Sequence, residues 1–115
     1  MSNKHGSARA ALKTRATIFA ALGDETRLSI VASLVDGKAR SISHLTVGTN
    51  LTRQAVTKHL RVLEGAGVVR CVRVGRESQF ELEPKPIDDV QKYLKQVSKQ
   101  WDHALARLKA LVEEQ

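Results

Sequence analysis

The chain has 115 residues, 42% of them hydrophobic and 27% charged, with a formal net charge of +7. That length suits one domain with a real core, and no apolar run of about 18 residues offers a membrane span. Its single cysteine, Cys71, excludes an internal disulfide and makes a cytoplasmic location the expectation.

Residues 1–7, "MSNKHGS", lack the apolar centre of a signal peptide and are expected to form a flexible polar tail. The remainder, 8–115, is expected to be a single domain. From Ala8 to Leu22, Ala11, Leu12, Ile18, Phe19 and Leu22 recur at mostly helical spacing. Gly23 interrupts this pattern. Asp24 then reads as an N-cap, because its carboxylate can accept the free N–H groups of the next turn. The helix that follows, "ETRLSIVASLVD", sets Leu28, Val31, Leu34 and Val35 on one face and stops at Asp36-Gly37.

Ser41 is placed to cap a short third helix, "ISHLTV", and Gly48-Thr49-Asn50 reads as a turn. Thr52 caps a fourth helix, Arg53 to Gly65, with Val56, Leu60 and Leu63 as its inner stripe and His59 packed beside them. Gly67 breaks it. "VVRCVRV" and "SQFELE" are then short, alternating and rich in β-branched residues, which predicts a hairpin across Gly75-Arg76-Glu77. Cys71 is expected to be a buried thiol there. Pro86 suits the first turn of a last helix, with Asp88 and Asp89 near its positive end.

That last helix, Pro86 to Val112, is about 40 Å long. Ile87, Val90, Leu94, Val97, Trp101, Ala104, Leu108 and Leu111 alternate three- and four-residue spacings, a sustained heptad seam that Tyr93, Leu105 and Val112 widen. One small domain struggles to cover such a stripe, so a symmetric homodimer is expected; the alternative is packing wholly on the first helix of the same chain. The predicted fold is therefore mainly α with a small β-hairpin. It has a helix-turn-helix over about 41–66, a wing over about 68–83 and a dimerisation helix over about 86–112.

The charge is not evenly spread. Lys38, Arg40, Arg53, Lys58, Arg61, Arg70, Arg73 and Arg76 face only Glu64 within residues 38–76, so that window carries the whole net charge. This points to a polyanion. In a helix-turn-helix the N-terminal half of the second helix enters the major groove. Arg53 can present two donors to guanine, Gln54 can donate to and accept from adenine, and Thr57 can bond a base or touch a thymine methyl. Lys58 and Arg61 suit phosphate, which fixes register without reading sequence, and Thr52 can both cap and touch phosphate. Arg73, Arg76 and Ser78 near the hairpin tip supply a second contact beside the backbone, with Glu77 weakening the field. Plain solvation is the alternative for any one of these side chains; five on one face of the second helix favour DNA.

No catalytic constellation is present: there is no Gly-rich phosphate loop, and Cys71 has no evident base. With 3% aromatic residues, stacking on single strands is not expected either.

"FAALGDETRLSIVASL", "RQAVTKHLRVLEGAGVV" and "VGRESQFEL" resemble the ArsR-type winged helix repressors, from about Ala16 into the last helix. The resemblance implies a homodimer that binds a short operator palindrome and represses transcription. It maps base reading onto Arg53, Gln54, Thr57 and Lys58. It also builds the dimer from the first and last helices, which nominates Ile18 and Phe19 with Val90, Leu94, Val97, Trp101, Leu105 and Leu108. Where the family's metal sensors carry a C-x-C-x-x-D-like box, this chain has Ser41, Ser43 and His44, without the thiolates such a site needs. His103 next to Asp102 has no second His to complete a site on the last helix. A metal-independent branch with no cofactor is expected, its inducer unspecified. The other readings are a winged helix used as a protein-interaction module, and a regulator sensing thiol or metal chemistry through Cys71.

Overall fold

The computed structural model describes residues 4–114. Helix α1 (Lys4–Leu22) is followed by α2 (Glu25–Ser33), strand β1 (Arg40–Ser41), α3 (Ile42–Thr46), α4 (Arg53–Gly65), strands β2 (Val69–Val74) and β3 (Glu77–Leu82), and α5 (Pro84–Glu113). The helix begins at Lys4, so residues 4–7 belong to α1 and not to a tail; residues 1–3 of the expected tail lie outside the described ones.

The three predicted caps form. The Asp24 carboxylate accepts from Arg27 N at 3.0 Å, Ser41 Oγ from His44 N at 3.0 Å, and Thr52 Oγ1 from Ala55 N at 3.1 Å. Each satisfies an N–H that the first helical turn leaves without a partner. At the other end of α4, Gly67 takes a φ of 76°. Gly67 N donates to Glu64 O and Val68 N to Leu63 O, the paired bonds that close a helix through a left-handed residue. Val68, fully buried, starts the hairpin from that closure.

The sheet is antiparallel in the order β1-β3-β2. Arg40 and Ser41 pair with Phe80 and Gln79; two residues are too few to show a period, so β1 is absent from the sequence reading. Gly75 and Arg76 form the turn, with Gly75 at φ 64°. A two-residue loop requires this left-handed entry if the strands are to keep their twist. Glu77, expected in the turn, lies in β3.

The core joins Ile18 and Ala21 of α1, Ile30 and Leu34, Leu45 of α3, the α4 stripe Val56, Leu60 and Leu63, and Val68, Val69, Phe80 and Val90. Two expectations change here. Helix α2 buries Ile30, with Val31 partly covered and its C-cap Leu34 buried, while Leu28 is exposed. The helix stops at Ser33, so Val35 lies past its end in the turn and is exposed, off the face that a longer helix would have given it. Cys71 is exposed, not buried: β2 is an edge strand, and the body covers β3 at Phe80 instead.

Helix α5 leaves the body after its first turns. Ile87 packs on the core and Val90 is buried, whereas Leu94, Trp101, Leu105, Leu108 and Leu111 are at least half exposed. The stripe is therefore not covered by α1 of the same chain. Links between the two helices stay near the base of α5: Arg15 Nε donates to the Asp89 carboxylate at 3.3 Å, and its guanidinium lies 4.7 Å from the Tyr93 ring centre, with Phe19 beside that ring. Ile18, nominated for the dimer surface, is only 1% exposed and belongs to the protomer's own core. Val90 is withdrawn for the same reason. Phe19 remains partly open.

Candidate nucleic-acid interface

Helix α4 is fixed by its apolar stripe, and that dictates what its other face presents. At about 100° per residue, burying Val56, Leu60 and Leu63 turns Arg53, Gln54 and Lys58 to solvent, and all three are exposed. The helix start adds the positive end of the backbone dipole to the same surface.

Two clefts converge there. One is lined by Ile42, Arg53, Gln54, Thr57 and Lys58. The other is lined by Ser41, Ile42, Arg53, Arg76, Glu77 and Ser78. Arg53 and Ile42 belong to both, so the reading helix and the wing tip form one continuous surface. Arg73 lies just along the hairpin, where it pairs in register with Ser78.

The cations divide into two groups by partner. Arg40 binds the Asp36 carboxylate at 2.7 Å, Arg61 binds Glu64 at 2.8 Å, and Arg70 binds Glu81 and Glu83. Arg70 is held more firmly protonated by its hydrogen bond to Glu81, with the charge of Glu83 adding to it. Asp36, Glu81 and Glu83 lie outside the basic window in sequence but neutralise it in space. Among the described residues, the side-chain cations of Lys38, Arg53, Lys58, Arg73 and Arg76 have no carboxylate within 4.0 Å. Of these five, Arg53, Lys58 and Arg76 line the double cleft and Arg73 lies just beside it.

Three of the expected site residues are partly engaged. Thr57 Oγ1 donates to Arg53 O at 2.7 Å, which leaves its oxygen as an acceptor and its methyl for apolar contact. Arg61 lies 5.9 Å from the Phe80 ring centre as well as against Glu64, so a phosphate must compete with Glu64 for it. Thr52 spends one lone pair on the cap and stays exposed.

Sequence reasoning missed the polar support behind α4. Arg27 lies on the inward side of α2 with Ile30 and Leu34, and its guanidinium stands 3.2 Å from His59 Nδ1. The signal was present: Arg27, Ile30 and Leu34 share a three-and-four spacing that marks one face. His44, on the exposed side of α3, meets Arg40 at 3.2 Å. Among the described residues, no group of three or more His, Cys, Asp or Glu is placed to hold a metal ion, and no helix is long and apolar enough to cross a membrane.

Comparison with known proteins bears on this geometry. A family model described as a helix-turn-helix domain matches residues 22–72. The HTH-type transcriptional regulator YuzN of Bacillus subtilis (strain 168), itself uncharacterized, is 36% identical over 81 residues, 65% of this chain and 88% of that protein. An ArsR-like transcriptional regulator from Rhodococcus sp. RHA1 superposes with a TM-score of 0.76 at 34% identity, over 89% of this chain and 95% of the other. The homodimeric winged helix-turn-helix DNA-binding domain Mb0332 of Mycobacterium bovis shares the fold, with a TM-score of 0.66 at 23% identity over 91% and 94% of the two chains. A capped reading helix, a basic wing beside it and a relative of matching length at this identity agree, and the chain belongs to the ArsR-type winged helix-turn-helix family of DNA-binding transcriptional regulators.

Proposed function

We propose that this regulator is a cytoplasmic homodimeric repressor that binds a short palindromic operator in double-stranded DNA. The observation that carries the reading is the continuous cleft in which Arg53 joins the reading helix to the wing, with Lys58, Arg73 and Arg76 adding charge that no ion pair within 4.0 Å among the described residues engages, although Glu77 lies in the same cleft. Arg53, Gln54 and Thr57 read base edges in the major groove. Lys58 sits at the border of base and phosphate; Thr52, Arg73, Arg76 and Ser78 hold the backbone, with Arg61 joining when phosphate displaces Glu64. The domain includes the whole of α1 from Lys4, with the reading unit at about 41–66 and the wing at about 68–83.

The uncovered seam of α5, from Leu94 to Leu111, supports pairing with a second copy. Phe19, Leu94, Val97, Trp101, Leu105 and Leu108 form the contact. The M. bovis domain of the same fold is homodimeric, which supports self-association. Two-fold symmetry then sets the reading helices about 34 Å apart, one turn of the duplex. No metal, cofactor or enzymatic step is part of this reading.

The test is selection of genomic fragments by the purified chain, followed by anisotropy titration on the recovered sequence and on a scrambled duplex. A recovered inverted repeat, bound more tightly than the scramble, is the expected result. Transcription from a promoter overlapping that repeat should fall when the protein is added. Equal binding to both duplexes refutes sequence-specific recognition, and increased transcription refutes the repressor assignment.

A further inference from the structure

Three helices meet at one guanidinium. Arg27, on α2, donates from Nε to Ala21 O and from Nη2 to Ala20 O, both in the last turn of α1. Its Nη1 faces His59 Nδ1 on α4 at 3.2 Å. Arginine has only donors, so the His59 nitrogen is the acceptor and the ring proton sits on Nε2. The Asp24 carboxylate closes the group: it caps α2 through Arg27 N and lies 3.9 Å from the same His59 nitrogen. The His59 side chain is 24% exposed, and it flanks the Val56, Leu60, Leu63 stripe.

The stripe sets which face of α4 points outward, but base reading needs that rotation held more finely. Apolar burial is non-directional, so small rolls about the helix axis are resisted less by three aliphatic side chains than by a directional bond. Base recognition is intolerant of roll, because hydrogen bonds to base edges weaken steeply with angle. A directional bond at the edge of the stripe resists that motion. We propose that Arg27 and His59 are positioning residues for base reading: their hydrogen bond fixes the rotation of α4 against α1 and α2, and with it the aim of Arg53 and Gln54. The proposal rests on α4 being the reading helix.

The experiment compares full-length chains on a selected operator and on a scrambled duplex, with circular dichroism melts as a check of folding. His59→Leu, which removes the acceptor and keeps apolar bulk, should lower the operator-to-scramble affinity ratio about tenfold, the loss expected of one charge-assisted hydrogen bond. Affinity for the scramble and its salt dependence should not change. His59→Gln, whose amide oxygen can accept from Arg27, should keep most of the ratio. Arg27→Met should match His59→Leu, and the double variant should lose no more than either alone. If Arg27→Met does not fold, the two His59 variants decide. An unchanged ratio in His59→Leu overturns the proposal. So does additive loss in the double variant, which would place His59 on the DNA directly, or a parallel loss on both duplexes. A wild-type chain with no preference between duplexes overturns the DNA-reading assignment itself, and this proposal with it.

Discussion

Arg53 and Lys58 are both exposed cations on α4, but truncating them should have different signatures. Arg53→Ala or Gln54→Ala removes a contact that depends on the base opposite. Each is expected to cost about 1–3 kcal/mol on the operator and to relax preference at one position, read by titrating single-base variants. Lys58→Ala should instead weaken all duplexes more evenly and make the log–log salt slope shallower by about one. A base-specific loss on Lys58→Ala would move it fully into the reading set. Two carboxylates make a different kind of prediction. Asp24 sits below the ordinary carboxylate range chiefly because Arg27 N donates to it, with the charge of the Arg27 guanidinium adding to that. Asp36 is lowered chiefly by the N–H of Lys38, then by Arg40. A depressed folded value means that their stabilisation is complete above about pH 4 and disappears as pH falls through the lowered values. Thermal melts taken downward from about pH 6 should show this loss. Asp24→Asn, which keeps an acceptor but cannot titrate there, should flatten its part of the acid slope.

At the scale of elements, the helix starts were the most legible part of the sequence. Asp24, Ser41 and Thr52 act locally, so a cap can be recognised without knowing the fold. Thr52→Ala should accordingly lower stability by about 1 kcal/mol, measured by urea unfolding, through loss of the bond to Ala55 N. The outward face of α4 was legible for a related reason: one clear stripe, Val56, Leu60 and Leu63, fixes which side chains point outward. Helix α2 had no such single stripe: Leu28 was assigned to a face that is exposed, and Val35 lies past the end of the helix. Cys71 was misplaced because alternation in a strand tells which residues share a face but not how far along the strand that face is covered. Val69, two residues earlier on edge strand β2, is buried, and the cover has ended by Cys71. The pairing of Arg70 with Glu81 and Glu83 was equally hidden. A count of charge along the chain cannot see neutralisation across a hairpin.

The whole molecule measures 67 × 42 × 22 Å, a long shape for its size, with α5 reaching out from the body. Trp101→Glu places a charge in the middle of the exposed seam while leaving the core of the protomer alone. The expected outcome is a monomer by analytical ultracentrifugation with its helical signal retained; a persisting dimer would require another interface. If a dimer neutralises about eight phosphates, its salt slope should be near −7, and the monomeric variant should give about half of that.

The bare outer half of α5 also makes abundance an input to regulation. A lone copy has one helix-turn-helix and an uncovered apolar stripe, whereas on the proposed palindromic operator the paired form engages two half-sites at once. While most copies are unpaired, doubling the amount of chain roughly quadruples the paired form. Operator occupancy then rises with the square of copy number, so modest changes in the synthesis or turnover of this small protein would be felt steeply at the promoter.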